Sequence, residues 1–291
     1  MIFRGSAVAL VTPFYKNGQV NYYELKKLIE FQIASGTKAI VILGTTGESA
    51  TINGFERTKI IRFCVGQISG RIPLIVGTGS NSTETAKRQT KEAEQLGADA
   101  VLIVTPYYNK TSQEGLFLHY KQIAKHTKLP IIIYNVPSRT GLSISTDTII
   151  KLSKIKNIVG LKDASGNLTQ TIQLLPQVKK GFAIYSGDDL LCFAMMCLGA
   201  VGVISVTANA YPNLVATMCN DILEKNYQNA LRIHNHLTKI STNLFLEVNP
   251  ICIKFYMNKL GINVGEPRLP LTLPSKENQK KLIETIKDYE T

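Results

Sequence analysis

The chain has 291 residues, of which 44% are hydrophobic and 19% are charged, and its formal net charge at pH 7 is +12. This composition provides a sizeable core and excludes an intrinsically disordered chain. The positive charge favours anionic partners, but Lys and Arg are scattered without a run of five or more and Trp is absent, so no nucleic-acid-binding surface is predicted.

Eight short apolar segments recur along the first 206 residues and predict β-strands. Each segment is continuously apolar rather than alternating, as expected for parallel strands that helices cover on both faces. The predicted strands are residues 6–13, 39–44, 73–79, 100–106, 130–137, 158–163, 182–188 and 200–206.

Amphipathic segments between these strands predict helices. Residues 90–97 read as the end of a helix that stops at Gly97. Thr111 and Glu114 have the spacing of a capping box, which would start the helix after the fourth strand.

The order of elements predicts an α/β fold, a (β/α)8 TIM barrel with a C-terminal helical appendage. Eight strand–helix units over roughly 225 residues fit the usual size of about 250 residues. A doubly wound sheet is the alternative, but its best nucleotide motif, GTGSNS at 77–82, lacks the third glycine.

The pattern changes to helices without strands after about Glu224. We therefore predict a catalytic barrel over residues 1–224 and a helical region packed on it over 225–291. The last helix should present one apolar face, formed by Leu282, Ile283, Ile286 and Tyr289.

The cysteines, histidines and apolar runs predict a cytoplasmic protein without a metal or a membrane segment. Five cysteines without a CxxC pair suit a reducing compartment rather than a disulfide framework. The four histidines lack metal-ligand spacing. No secretory signal is evident at the start, and glycines and prolines interrupt the charge-free run 190–220.

Lys162 carries the strongest chemical signal, because it directly follows the apolar segment 158–161. Active sites of barrels lie at the carboxyl ends of the strands, where Thr45 and Tyr134 should join it. Burial among such groups lowers the pKa of an amine, and a neutral amine forms Schiff bases with carbonyls. The alternative is a structural lysine paired with Asp163 or another carboxylate.

Two further strand-end features suit carboxylate binding. The turn 44–47, Gly-Thr-Thr-Gly, offers backbone N–H groups and hydroxyls, although such turns are also common for backbone reasons alone. Arg139 follows the fifth strand and could bind a second carboxylate through its planar guanidinium, although most single arginines are simply solvated.

Five ordered motifs resemble one known family. They are GTTGES (44–49), TPYYN (105–109), YNVPSRTG (134–141), GLKDASGN (160–167) and GVISVTAN (202–209). Together they resemble the pyruvate-dependent class I aldolases, the family of dihydrodipicolinate synthase and N-acetylneuraminate lyase, and its dihydrodipicolinate synthase branch in particular. The resemblance extends from about Gly5 to the segment 268–275.

The resemblance implies a role for each matching residue. Lys162 would form the Schiff base with pyruvate, and Tyr134 would transfer protons to and from the adduct. Thr45 and Tyr108 would complete the proton relay, with Tyr108 reaching in from a neighbouring subunit. Thr46 and Ile204 would contact pyruvate, and Arg139 would bind the carboxylate of L-aspartate 4-semialdehyde.

The implied reaction is the condensation of pyruvate with L-aspartate 4-semialdehyde, the entry step of the diaminopimelate and lysine pathway. The family resemblance also implies that no cofactor takes part and that the protein is a homotetramer, a dimer of dimers. Arg139 favours this branch, because an aldehyde with its own carboxylate calls for a guanidinium.

Three other functions stay open from the residues. The chain could be an N-acetylneuraminate or 2-keto-3-deoxy sugar-acid aldolase of the same family. It could be a pyridoxal-phosphate barrel with Lys162 as the aldimine lysine, although the acidic loop 187–189 disfavours phosphate binding. A nucleic-acid-binding protein is the third and weakest alternative.

One segment departs from the family pattern. Many members of the family are inhibited by lysine at a separate site that includes two histidines after the first motif. This chain has Gly54 and Arg57 in the corresponding segment, and the expected glutamate stands one residue early, at Glu84. A cationic Arg57 disfavours a cationic ligand, so we predict weak or absent inhibition by lysine.

Overall fold

Eight parallel strands form a closed barrel in the order in which they occur along the chain. This computed structural model describes residues 1–290, and side chains through Asp288. The strands are β1 (Gly5–Ala9), β2 (Ala39–Ile42), β3 (Leu74–Gly77), β4 (Ala100–Val104), β5 (Ile131–Asn135), β6 (Ile158–Asp163), β7 (Ala183–Ser186) and β8 (Gly202–Ser205). The predicted barrel is confirmed. Most predicted strands extend too far because the apolar residues continue into the loops.

Helices alternate with the strands and then continue alone. They are α1 (Tyr22–Ala34), α2 (Gly54–Ile68), α3 (Thr83–Gln95), α4 (Gln113–Lys125), α5 (Pro137–Thr140), α6 (Thr146–Ser153), α7 (Leu168–Leu174), α8 (Cys192–Leu198), α9 (Pro212–Leu223), α10 (Tyr227–Asn243), α11 (Ile251–Lys259) and α12 (Lys276–Glu290). The predicted stop at Gly97 is correct, because this glycine follows α3 and adopts a φ of 92°.

The predicted capping box at Thr111 is wrong. Ser112 is the N-cap of α4, and its side chain accepts a hydrogen bond from the backbone N–H of Gly115. A capping box does occur at the start of α2, where Asn53 and Glu56 each accept a hydrogen bond from the other's backbone N–H. Two neighbouring hydroxyl residues before α4 made the one-residue difference invisible in the sequence.

The barrel has an inner and an outer core. The inner core fills the barrel with residues such as Val41, Ile132 and Ile204, whereas the outer core packs strands against helices. At the amino-terminal end, the Tyr185 ring stacks on Phe3 at 4.3 Å, and its hydroxyl donates a hydrogen bond to the Phe3 carbonyl. The interior is therefore solid, and the site must lie at the opposite end.

The C-terminal helices pack on one another and against the barrel. Leu282 and Ile286 of α12 are buried and Ile283 is half-buried, as the predicted apolar face requires. The side chain of Tyr289 lies outside the described residues. The division of the chain at 224/225 stays a prediction.

Within residues 1–290, none of the helices is both long enough and apolar enough to cross a lipid bilayer.

Candidate active site

Lys162 lies inside the barrel and is 5% exposed. It pairs in register with Tyr134 of β5 and Tyr185 of β7, and its Nζ is 4.3 Å from the centre of the Tyr134 ring. A Cβ added to Gly187 would stand 3.0 Å from the Lys162 Cε. The glycine thus lets the backbone after β7 approach the lysine closely, which fixes the direction of the amine.

The charge state of Lys162 is set mainly by its burial. Removal from water lowers the pKa of the amine to about 8, the nearby Asp189 carboxylate opposes this shift, and the Arg139 guanidinium adds to it. A substantial fraction of the amine is therefore neutral near pH 8, and the neutral form is the one that attacks a carbonyl.

Asp163 does not serve as the partner of Lys162. Its carboxylate accepts hydrogen bonds from the side chains of Asn135, Ser165 and Thr171 and from the backbone N–H of Ser165. Successive residues of a strand point to opposite faces, so Lys162 faces the interior and Asp163 faces the surrounding helices. The alternative of a structural Lys162–Asp163 pair finds no support.

Tyr134 and Thr45, the two residues predicted to transfer protons, lie together beside Lys162. Burial raises the pKa of the Tyr134 phenol, while Arg139 and a side-chain hydrogen bond with Thr45 lower it. The net shift is upward, so the phenol is neutral at neutral pH and can both donate and accept a proton. Its ring lies against the Lys162 amine, where such transfer is needed.

The turn after β2 brings Thr45 and Thr46 to the site. Leu43 and Glu48 flank this turn with φ angles of 54° and 56°, which non-glycine residues rarely adopt. The Thr46 hydroxyl accepts a hydrogen bond of 2.9 Å from the Asn249 side-chain amide. Thr46 is 3% exposed. Ile204 of β8 is fully buried in the same inner core as Tyr134.

Arg139 lies in the single-turn helix α5, directly after β5. Its side chain is exposed, and Nη2 donates a 3.0 Å hydrogen bond to the backbone carbonyl of Asn249. Asn249 therefore contacts both Thr46 and Arg139, the two residues predicted to bind carboxylates. The rest of the guanidinium stays available for a ligand.

A cavity of about 670 Å³ opens beside these residues. Its lining includes Thr45, Val136, Arg139 and Asn249, and on the far side Arg57 and Arg88. Among the described residues Lys162 does not line the cavity itself, and the cavity meets the lysine cluster at Thr45 and Arg139. Its size suits a small-molecule substrate.

Tyr108 is a predicted site residue that does not join the Lys162 cluster within the single chain. It is 91% exposed and has a φ of 70° in the loop after β4. An exposed tyrosine held in an unfavourable backbone conformation is compatible with a role in a neighbouring subunit, which stays a prediction.

Sequence analysis missed two residues of the site. Asp189 lies in the loop after β7 and accepts hydrogen bonds from the backbone N–H groups of Val206 and Thr207, which places its charge near Lys162. Its position after a strand was the available signal. The sequence gave no such signal for Asn249, because this residue precedes a helix of the C-terminal region and does not follow a strand.

Over the described part of the chain, no group of three or more His, Cys, Asp or Glu residues could hold a metal ion.

Comparison with known proteins gives one consistent family. The sequence profile of the dihydrodipicolinate synthetase family matches residues 2–289. A 4-hydroxy-tetrahydrodipicolinate synthase of Alkaliphilus oremlandii (strain OhILAs) is 46% identical over 286 residues, which are 98% of each chain.

Solved structures agree. A dihydrodipicolinate synthase from Aquifex aeolicus has a TM-score of 0.96 and 45% identity, over 99% of this chain and 98% of its own. A chloride-inhibited dihydrodipicolinate synthase from Acinetobacter baumannii, complexed with pyruvate, has a TM-score of 0.97 and 44% identity, over 100% of this chain and 99% of its own.

Proposed function

The chain belongs to the dihydrodipicolinate synthetase family, and we propose on this premise that it condenses pyruvate with L-aspartate 4-semialdehyde to give 4-hydroxy-tetrahydrodipicolinate. One observation carries the proposal beyond the family. A buried amine with a lowered pKa, Lys162, lies against the phenol of Tyr134, and a guanidinium stands at the mouth of the site.

The reaction begins at Lys162. Its neutral amine attacks the ketone carbon of pyruvate, and loss of one water gives an iminium ion. Tyr134 and Thr45, whose side chains lie close enough for Thr45 to lower the pKa of the phenol, move the protons that this dehydration requires. The hydroxyl of Thr46 and the packing surface of Ile204 hold the pyruvate.

Carbon–carbon bond formation follows from the iminium. Loss of a methyl proton gives an enamine, whose carbon attacks the aldehyde carbon of the second substrate and turns its oxygen into a hydroxyl. The amino group of that substrate then adds to the iminium carbon and displaces Lys162. The ring closes, the lysine returns as a free amine, and one water has been released overall.

Arg139 selects the second substrate. Its guanidinium lines the cavity and is exposed, with one nitrogen bonded to the Asn249 carbonyl. It pairs with the carboxylate of the aldehyde substrate. A neutral polyol, such as an N-acetylated amino sugar, has no carboxylate to pair with this group.

The proposed assembly is a homotetramer built from dimers, and the proposed location is the cytoplasm. The exposed Tyr108 supports the assembly, because it would complete a site only in a neighbouring subunit. Five free thiols support a reducing compartment.

The first test offers the purified protein pyruvate with either L-aspartate 4-semialdehyde or N-acetylmannosamine, and measures pyruvate consumption. We expect turnover with the semialdehyde only. Turnover with the sugar alone would keep the Schiff base but replace the proposed reaction by a sugar-acid aldolase reaction.

Arg139→Met tests the choice of substrate. We expect kcat/KM for the semialdehyde to fall about 10²-fold or more, because a charge-assisted pair with a carboxylate is lost. Pyruvate adduct formation at Lys162 should persist, which steady-state kinetics and borohydride trapping would show together. Unchanged semialdehyde kinetics would contradict the role of Arg139.

A further inference from the structure

A second buried lysine lies behind the turn that carries Thr45 and Thr46. Lys254 of α11 is fully buried, and its Nζ donates to the Glu48 carboxylate at 2.8 Å and to the carbonyls of Thr12 and Glu266 at 3.1 Å each. Its ammonium also lies 4.3 Å from the centre of the Phe14 ring. All three N–H donors of Lys254 are thus used.

Glu48 is held as completely as its partner. Its side chain is 1% exposed. One carboxylate oxygen accepts from Lys254, and the other accepts from the backbone N–H of Arg268 at 2.8 Å. Both partners come from the C-terminal region, more than 200 residues away along the chain. A buried ion pair of this kind is costly to desolvate, and packing alone does not require one.

The ion pair acts on a turn that needs external support. Leu43 and Glu48 both have positive φ, so the backbone between them is strained at each end. The same C-terminal region bonds this turn a second time, through the Asn249 amide on the Thr46 hydroxyl. Strain of this sort persists only where the surroundings over-determine the conformation.

From these contacts we infer that Lys254 is a positioning residue for the proposed reaction, which acts through its ion pair with Glu48. The pair fixes the turn so that the Thr45 hydroxyl meets Tyr134 and the Thr46 hydroxyl faces the pyruvate subsite. The C-terminal helical region is therefore part of the catalytic apparatus, although none of its helices carries the nucleophile. This inference rests on the proposed function.

The test compares stability with catalysis in three variants of the full-length chain. Lys254→Met leaves Glu48 buried without a counter-charge and should lower Tm. Adding Glu48→Gln removes that charge while keeping an acceptor for the Arg268 N–H, so Tm should recover. Catalysis should not recover, because residue 48 has lost its bond to α11.

The measured quantities are Tm, the steady-state constants for pyruvate, and the yield of pyruvate adduct at Lys162 after borohydride reduction. For the folded double variant we expect a raised KM for pyruvate and a kcat/KM about tenfold or more below that of the unmodified chain. A double variant that recovers Tm and kcat/KM together would overturn the inference. If the double variant does not fold, Glu48→Gln alone, which keeps the carbonyl contacts of Lys254, must show the same KM change.

A matched control removes another ion pair. Arg71, in the loop after α2, donates to the Glu30 carboxylate of α1 through two nitrogens, at 2.6 and 2.7 Å. Arg71→Met with Glu30→Gln should leave kcat/KM within about twofold, because exposed pairs contribute little. The unmodified chain separates the two proposals. No pyruvate adduct there would refute the proposed function, whereas an adduct equally abundant in the double variant at a pyruvate concentration below KM would refute only the role of Lys254.

Discussion

Two lysines of this chain are almost completely removed from water, and their surroundings give them different chemistry. Burial lowers the pKa of both amines. Both ammonium groups lie 4.3 Å from the centre of an aromatic ring. Lys254 also donates to a carboxylate at 2.8 Å and to two carbonyls, whereas Lys162 has the Asp189 charge nearby but no direct hydrogen bond among the described contacts. Burial alone therefore does not distinguish the proposed nucleophile from Lys254. The two lysines differ in the number of hydrogen-bond acceptors around the ammonium group.

Asp189 provides a test of this electrostatic balance. Its carboxylate raises the pKa of Lys162 against the effect of burial, so Asp189→Asn should move that pKa below the present value of about 8. The amine is neutral above its pKa, so the rate of pyruvate adduct formation should rise at a lower pH in the variant. Borohydride trapping across a pH series measures this midpoint.

Asp188 supplies the matched control. It neighbours Asp189 but bonds the backbone N–H of Leu190, and it does not contribute to the pKa of Lys162. Asp188→Asn should leave the midpoint in place. A midpoint that stays put or rises in Asp189→Asn would refute the electrostatic role of Asp189.

At the scale of elements, α2 and α3 together determine the charge of the cavity wall. Arg57 of α2 is buried, donates to the Gly77 carbonyl, and lines the cavity. On α3, Glu84 is exposed and bonds Lys87, while the next residue, Thr85, takes the place on the cavity wall. A shift of one residue on a helix turns a side chain by about 100°, so the carboxylate lies outside the cavity.

This arrangement supports the prediction of weak or absent inhibition by lysine. Arg57 and Arg88 both line the cavity, and their positive charges disfavour a cationic ligand even though the Glu92 carboxylate lies 3.6 Å from Arg57 Nε. Steady-state assays with L-lysine should show no inhibition at micromolar concentrations. Arg57→His combined with Thr85→Glu should increase lysine binding, since a cation is removed and a carboxylate added. Micromolar inhibition of the unmodified enzyme would contradict the prediction.

At the scale of the whole molecule, the exposed Tyr108 raises the question of how many chains form one site. The ring is 91% exposed in the single chain, while Lys162, Tyr134 and Thr45 lie together within it. If Tyr108 serves a neighbouring subunit, the smallest active unit is a dimer. The proposed tetramer would pair two such dimers.

Subunit mixing tests whether Tyr108 acts between chains. Tyr108→Phe and Lys162→Ala should each lower kcat, the former by about 10²-fold or more as expected for a lost proton-transfer group. When the two variants are mixed, dissociated and reassociated, activity should partly return. In a mixed dimer, Tyr108 of the Lys162→Ala chain completes the site that contains the intact Lys162 of the Tyr108→Phe chain. A mixture of Lys162→Ala with Tyr134→Phe should gain nothing, because both residues act within one chain. Equal recovery in both mixtures would contradict the proposal.

The sequence by itself determined the barrel, and it was sufficient to propose Lys162 as the reactive lysine. Eight continuously apolar segments mark strands that are buried on both faces. This signal is local, so it can be read without knowing which strands and helices pack against each segment. The position of Lys162 at the end of one segment followed from the same signal. The direction of each side chain did not, because hydrophobicity is similar on the two buried faces; only the folded barrel distinguishes inward Lys162 from outward Asp163.

Tertiary structure alone decided what surrounds the lysine. Asp189 accepts hydrogen bonds from the backbone just after β8, Asn249 bonds Thr46, and Lys254 bonds Glu48; the last two contacts join residues more than 200 positions apart. Such contacts depend on the closure of the barrel and on the docking of the C-terminal helices. No periodicity or motif along the chain encodes them individually, so the charge of the nucleophile and the support of its neighbouring turn are properties of the fold as a whole.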